Sequence, residues 1–218
     1  MLKIYGCYRS RASRNIWLAD ELGVPFELIK VVQANRVADP AAPGAPMNTR
    51  SAAYAAVNPN RQIPAIDDEG LVLWESLAIN LYLARKHGGS LAAADVREEG
   101  EMLTWSMWAA VEVEPHSIQV LYNLVGKPPA ERDAKLAAAS IEALRSRFAV
   151  LDAALATKSF LVGGRFTVAD INVAEIFRYA MPAAELFDAA PRVRAWLAAC
   201  QARPAFKAMM ARREAEPA

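Results

Sequence analysis

The hydrophobic pattern of this 218-residue chain changes near residue 90, and that change limits the folds open to it. Before it, segments with the period-two alternation of strands are interleaved with segments of helical spacing, whereas from residue 95 onward the spacing is helical throughout. A mixed half followed by a helical half predicts two packed units. We therefore predict an α/β domain at 1–84, a linker at 85–94 and an all-helical domain at 95–218.

The segments of the first half predict a βαβ unit followed by a ββα unit. Residues 2–5 alternate as a strand does, and the helical pattern after them ends at Gly23 and Pro25. Further strand patterns lie at 26–32, 63–66 and 71–73. A second helix begins at Glu75, and the Ala- and Pro-rich segment 37–56 predicts a loop.

The composition excludes several kinds of partner. Lys and Arg number 25 and Asp and Glu 24, so the net charge of +1 gives no basic surface for nucleic acid. No apolar run approaches the roughly 20 residues of a membrane span and the N-terminus lacks a signal-peptide pattern, which predicts a cytoplasmic protein without a membrane partner. With two cysteines and two histidines, we expect no disulfide framework and no metal site.

Two short segments suggest a site for a peptide-like ligand. Pro64 stands at the mouth of a strand, as either a trans edge proline or a cis proline. A cis bond would leave the main chain of Ile63 free to pair with an extended ligand. Glu75 and Ser76 place a carboxylate and a hydroxyl at a helix start, where they either cap the helix or hold the ammonium and carboxylate of an amino acid.

The loop between the first strand and the first helix offers three reactive side chains, those of Cys7, Ser10 and Ser13. Ser10 lies five positions after Tyr5 and four before Arg14, at the loop-helix junction, where an ordinary helix cap is the alternative. Cys7 is close enough to the strand to belong to its end, and Ser13 fits the first helical turn. The residues alone leave all three open.

Blocks along nearly the whole chain resemble a cytosolic glutathione transferase, a serine-type (theta- or phi-like) bacterial member. The matching positions are Tyr5, Ser10, Asn58, Pro59, 62–65, Glu75, Ser76, Ile79, Tyr82, Leu83 and 163–170. Each block is weak alone, but together and in this order they are specific. The resemblance implies a thioredoxin-like N-terminal domain that binds glutathione as co-substrate, a helical domain that lines the site for a second substrate, and a homodimer.

Carried over position by position, the resemblance assigns glutathione contacts. Ile63 would pair through its main chain with the cysteinyl part of glutathione beside a cis Pro64. Glu75 and Ser76 would hold the γ-glutamyl end, and Gln62 stands where relatives carry Gln or Lys near the glycyl carboxylate.

The same resemblance makes Ser10 the catalytic residue, whose hydroxyl hydrogen-bonds the glutathione sulfur. Lowering a thiol pKa by about two units requires about 2.7 kcal/mol. A hydrogen bond to a charged acceptor supplies about 1.5–3 kcal/mol and a helix N-terminus about 0.3–1 kcal/mol, so one hydroxyl suffices. One pattern opposes the assignment of Ser10 as the catalytic residue. Cys7 and Ser10 have the C-x-x-S spacing of a glutaredoxin-like or omega-like thiol site, although Tyr8 stands where such sites usually carry proline.

A pocket for the second substrate, a small hydrophobic electrophile, is expected between the first loop and the first long helix of the second half. Its candidate residues are Tyr8, Arg9, Trp108, Glu112 and His116. Aromatic side chains at helical spacing are more often part of a core, so a packing function is the alternative for Trp108.

Two further patterns have structural functions. Thr167 and Asp170 form the Thr-x-x-Asp arrangement of a capping box, which stabilises a helix start. Pro115 interrupts a helical pattern and predicts a kink there.

The sequence thus predicts a glutathione transferase that activates the thiol and adds it to an electrophile, or uses it to reduce an organic hydroperoxide. Two alternatives remain: a glutathione-binding module without turnover, and a thiol transferase that depends on Cys7. The physiological electrophile is not encoded in any motif.

Overall fold

The computed structural model describes residues 1–217, and the chain divides into two compact units. The first comprises Met1–Gly89 with Pro204–Ala218, and the second comprises Ser90–Arg203. The α-helices of the described residues are, in chain order, α1 (Ala12–Leu22), α2 (Ala52–Val57), α3 (Ser76–His87), α4 (Val96–Trp108), α5 (Glu114–Leu121), α6 (Ala134–Ala154), α7 (Val168–Phe177), α8 (Ala184–Asp188), α9 (Pro191–Gln201) and α10 (Pro204–Ala215).

The first unit is built on a mixed sheet, four-stranded within residues 1–217. Its strands are β1 (Leu2–Gly6), β2 (Phe26–Lys30), β3 (Ala65–Asp68) and β4 (Leu71–Trp74). The strand order is β2-β1-β3-β4, with β1 parallel to β2 and antiparallel to β3, and β3 antiparallel to β4. This sheet with its helices, followed by a helical unit, confirms the predicted thioredoxin-like fold with a helical second half.

Helix α1 fills the core of the first unit and ends where the sequence predicts. Ile16, Trp17 and Leu18 are fully buried. Gly23 follows the helix with a φ of 65°, and its N–H donates to carbonyls of the last turn. The segment predicted as a loop also contains helix α2, whose Tyr54 is buried.

The last helix belongs to the first unit because it packs on α1. The rings of Trp17 and Phe206 meet edge to face with centroids 4.9 Å apart. Arg212 lies 3.4 Å from the carboxylate of Asp20. The C-terminal residues are therefore anchored to the helix that follows the first loop.

Aromatic rings form the core of the second unit. Phe148 contacts Phe177 and Phe187 at centroid distances of 4.8 and 4.9 Å, and Phe177 also faces Trp108 at 6.1 Å. Phe148 lies on the buried face of α6, with Leu144 and Leu151. This packing joins α4, α6, α7 and α8.

The predicted kink at Pro115 takes the form of a helix boundary. A π-helical turn, Ala109–Val113, ends α4, and α5 begins with Pro115 in its first turn. Proline is tolerated there because the first-turn N–H groups have no intrahelical acceptor. A second π-helical turn, Tyr122–Gly126, follows α5.

Helix α7 begins with the predicted capping box. The N–H and hydroxyl of Thr167 both donate to Asp170 Oδ2, and the N–H of Leu161 and the indole of Trp196 donate to Asp170 Oδ1. Burial raises the pKa of Asp170, and these hydrogen bonds oppose that shift. The carboxylate joins three separate segments of the second unit.

Buried and exposed caps should differ in their contribution to stability. Asp170→Ala should lower the free energy of unfolding by about 3 kcal/mol or more, because it leaves buried donors without an acceptor. Thr167→Ala should cost about 1 kcal/mol, as should Asp133→Ala, which removes the exposed cap of α6. Chemical denaturation measures all three, and equal losses at positions 170 and 133 would contradict this ranking.

Candidate functional site

The first loop lies against the sheet at Gly6, where no side chain fits. A Cβ on this residue would lie 2.5 Å from Ala12 Cβ and 2.8 Å from Ile63 Cγ2. It would also lie 3.5 Å from Ser10 Oγ. The glycine therefore allows the start of α1 and the segment before β3 to approach the end of β1.

The Ser10 hydroxyl is buried next to Gly6 and takes part in the turn that begins α1. It donates to the Cys7 carbonyl at 2.6 Å and accepts the Ala12 N–H at 3.1 Å. A hydroxyl can rotate its proton toward another acceptor. Ser13 lies one turn further on, fully buried within α1.

Cys7 is a poor nucleophile in this setting. Its side chain is 2% exposed, and its thiol lies 3.8 Å from Gln33 Oε1. Burial raises the pKa of Cys7, the carboxylate of Glu216 raises it further, and a hydrogen bond with Ser10 acts in the opposite direction. The thiol is thus kept protonated, whereas a reactive cysteine needs thiolate character.

The segment before β3 presents free main-chain groups. The Ile63–Pro64 bond is cis, one of the two alternatives that the sequence left open. Within residues 1–217, the N–H and C=O of Ile63 have no hydrogen-bond partner. Unpaired main-chain groups at a mostly buried residue need a partner, and an extended ligand can supply one.

Two side chains to which the sequence analysis gave no function hold this segment in place, and of these only Asn58 belongs to the matching blocks. Tyr54 Oη donates to the carbonyl of Gln62 at 2.5 Å, and Asn58 Nδ2 donates to the same oxygen at 2.7 Å. Burial raises the pKa of Tyr54 to about 12, so its hydroxyl keeps its proton at neutral pH. The side chain of Gln62 itself is exposed.

Glu75 has an unusual backbone conformation at the start of α3. Its φ is 73°, a region that non-glycine residues adopt at a cost of about 1–3 kcal/mol. Its carboxylate is exposed and has no hydrogen-bond or ion-pair partner within residues 1–217. Strain of this kind is concentrated at ligand sites, and this carboxylate is available for a cation.

The neighbouring Ser76 is buried and contacts a buried cation. Arg14, 1% exposed, donates from Nη1 to Ser76 Oγ at 3.1 Å. Asn15 donates to the Ser76 carbonyl at 2.8 Å and to Asn80 Oδ1 at 2.7 Å, which links α1 to α3. The sequence analysis gave Arg14, Asn15 and Asn80 no function, although buried polar residues in a helix imply a network.

The residues predicted for the second substrate are divided between the two units. Tyr8 and Arg9 lie in the first loop, half-buried, and their N–H groups donate to the carboxylate of Glu216.

In the second unit, Trp108 packs on Phe177, Glu112 pairs with Arg147 at 2.8 Å, and His116 is half-buried. The contact with Phe177 makes Trp108 part of the aromatic core.

Residues 1–217 contain no cluster of three or more His, Cys, Asp or Glu side chains placed to hold a metal ion. Over the same residues, no helix has an apolar stretch long enough to cross a bilayer.

Comparison with known proteins identifies the chain. Residues 9–86 match the family model described as glutathione S-transferase, N-terminal domain, and residues 113–204 match the one described as glutathione S-transferase, C-terminal domain.

Individual relatives match over most of their length. The glutathione S-transferase GstB of Escherichia coli strain K12 is 28% identical over 211 residues, covering 95% of this chain and 96% of that protein. A glutathione S-transferase of Hyoscyamus muticus is 32% identical over 160 residues, covering 70% of this chain and 76% of that protein. The theta class enzyme of Xanthomonas axonopodis pv. citri, solved with glutathione bound, is 31% identical with a TM-score of 0.80, covering 95% of both chains.

Fold, site and matches together define a glutathione-dependent transferase. The chain belongs to the glutathione S-transferase family, and its co-substrate is glutathione. The family predicted from the sequence is confirmed. The functions of individual site residues remain proposals.

The close approach at Gly6 can be tested by adding one methyl group. Gly6→Ala should lower the free energy of unfolding by about 1–3 kcal/mol, because the new Cβ overlaps Ala12 and Ile63. Gly100→Ala is the control, since Gly100 lies within α4 with no atom within 4 Å of an added Cβ. It should be stabilising by about 0.5–1 kcal/mol. Chemical denaturation showing the same sign for both variants would contradict the packing described here.

Proposed function

We propose that the first unit binds glutathione in an extended form and that Ser10 activates its thiol for addition to a small hydrophobic electrophile. The observation that carries this proposal is the main chain of Ile63, which is unpaired within residues 1–217. The Cγ2 of this residue and the Ser10 Oγ both lie next to Gly6. A cysteinyl residue paired with Ile63 brings its sulfur toward the start of α1.

The two ends of glutathione are assigned by charge. The γ-glutamyl ammonium binds the free carboxylate of Glu75, and its carboxylate binds at Ser76, beside the buried guanidinium of Arg14. Gln62 is proposed near the glycyl carboxylate because its side chain is exposed, while its own main-chain carbonyl is held in place by Tyr54.

Ser10 stabilises the thiolate by redirecting its hydroxyl proton. In the structure this proton is donated to the Cys7 carbonyl, and on binding it is donated to the sulfur instead. The N–H of Ala12 continues to donate to Ser10 Oγ and polarises the hydroxyl. The thiol proton passes to solvent, and the thiolate then attacks the electrophile and displaces its leaving group. With an organic hydroperoxide, the thiolate attacks the O–O bond and releases the alcohol, and a second glutathione converts the resulting sulfenic acid to the disulfide and water.

The alternative thiol chemistry at Cys7 is disfavoured by burial, which raises the pKa of that thiol.

We assign the enzyme to the cytoplasm. We propose that Tyr8, Arg9, Glu112 and His116 contact the electrophile. Trp108, which packs on Phe177 but is half-buried, is proposed to contact it with its exposed part.

Glutathione conjugation to an aryl halide tests this assignment in wild type, Ser10→Ala and Cys7→Ala, each checked for folding. Ser10→Ala should lose about 10²-fold or more in kcat, since one donor to a developing anion typically contributes that much. Cys7→Ala should retain its activity. An inactive wild type that still binds immobilised glutathione would favour a binding module, and failure of Cys7→Ala alone would favour a thiol transferase.

We propose that the enzyme is a homodimer. Each unit exposes an apolar surface that a second copy can cover. In the first unit the edge strand β4 leaves Leu71, Val72 and Trp74 exposed by 45, 41 and 42%. In the second unit, the surface proposed for the contact consists of Val96, Leu103, Met107 and Val111, which are all exposed on α4 or directly after it.

A charge on the exposed face of β4 should weaken the dimer. Val72→Asp should shift the mass measured by light scattering from two chains toward one, because the carboxylate would be buried in the interface. Val150→Asp is the control, since Val150 is 51% exposed on α6 and belongs to neither surface. Wild type with the mass of one chain at all concentrations would contradict the proposal.

A further inference from the structure

The C-terminal residues bind the main chain of the loop that carries Ser10. The Glu216 carboxylate accepts the Arg9 N–H on Oε2 at 2.8 Å and the Tyr8 N–H on Oε1 at 3.2 Å. Two consecutive N–H groups are thus satisfied by one carboxylate, with one oxygen each. Hydrogen bonds to a charged acceptor are the strong ones, so this contact fixes the loop.

Arg9 and Arg213 add two more hydrogen bonds between the first loop and the C-terminal residues. Arg9 Nε donates to the carbonyl of Arg213 at 3.2 Å, and Arg213 Nη1 donates to the carbonyl of Tyr8. Donors and acceptors of Tyr8 and Arg9 are therefore bound by residues 213–216. We call residues 213–216 the C-terminal clamp.

The clamp has a fixed position relative to α1. Helix α10 is held on α1 by the contact of Phe206 with Trp17 and by the pair of Arg212 with Asp20. A loop bound by the clamp is consequently held relative to the helix whose start contains the Ser10 turn.

Loss of the carboxylate would loosen the loop without exposing a core. Glu216 lines a cavity of about 340 Å³ together with Cys7, Lys30 and Arg36. Water entering this cavity can bind the released N–H groups, so the fold should survive substitution of Glu216.

We propose that Glu216 is a positioning residue that holds the loop so that the Ser10 hydroxyl is aimed at the glutathione sulfur. The proposal rests on the function proposed for Ser10. Glu216 does not touch the reacting atoms. It acts through the loop between Cys7 and Ser10, whose ends are also joined by the hydrogen bond from the Ser10 N–H to the Cys7 carbonyl at 3.2 Å.

The test compares Glu216→Ala, Glu216→Gln and the control Glu214→Ala in the full chain. Glu214 has the same side chain and lies in the last turn of α10, two residues before Glu216. It is exposed and has no partner within residues 1–217. Thermal unfolding checks that each variant folds. The kcat and the KM for glutathione are measured by conjugation to an aryl halide, with and without Ser10→Ala.

Glu216→Ala should lower kcat about 10-fold, because a misplaced catalytic group loses up to about 100-fold. Its KM for glutathione should stay within about twofold, since the groups that bind glutathione are unchanged. Glu216→Gln, which keeps one acceptor oxygen, should recover part of kcat. Glu214→Ala should match wild type.

In the Ser10→Ala background, Glu216→Ala should cause no further loss, because the two residues act in series. An equal loss in both backgrounds, a change in KM alone, or the same effect from Glu214→Ala would overturn the clamp. An impaired Ser10→Ala beside an unaffected Glu216→Ala contradicts the clamp alone. A Ser10→Ala variant with wild-type kcat contradicts the function of Ser10, and the clamp with it.

Discussion

The close approach of the start of α1 and the segment before β3 to Gly6 is the constraint on which the rest of the site depends. Because there is no room for a side chain, the start of α1 and the segment before β3 both reach the end of β1. The Ser10 hydroxyl and the Ile63 side chain then lie around the same glycine. Within residues 1–217, the main chain of Ile63 has no hydrogen-bond partner. A serine two residues before a helix is common in proteins. The chemistry proposed for Ser10 depends on its position beside Gly6 and Ile63.

Burial distinguishes the thiol from the hydroxyl in the first loop. Cys7 is enclosed and lies close to the negative charge of Glu216, so its proton is retained. Ser10 needs no change of charge, since a neutral hydroxyl donates a hydrogen bond as it is. Spacing in the sequence left both residues open because it contains no information about how deeply the loop is buried or where the C-terminus returns.

Local signals predicted most of the fold. Alternation marked β1, Gly23 marked the end of α1, and Thr167 with Asp170 marked the start of α7. Long-range contacts escaped prediction. Periodicity predicted helices from residue 95 onward but not that Phe206 packs on α1, so the return of α10 to the first unit was not foreseen.

Parts of the site escaped prediction for a related reason. Tyr54 and Asn58 act on a main-chain carbonyl, which has no signature in the sequence, and the positive φ of Glu75 occurs at a residue type that seldom adopts it.

The central claim, that Ser10 holds glutathione as a thiolate, is tested most directly by the pKa of the bound thiol. Titration of thiolate ultraviolet absorbance should place this pKa about two units below that of free glutathione in wild type, and near the free value in Ser10→Ala. The same lowered pKa in both proteins would contradict the account.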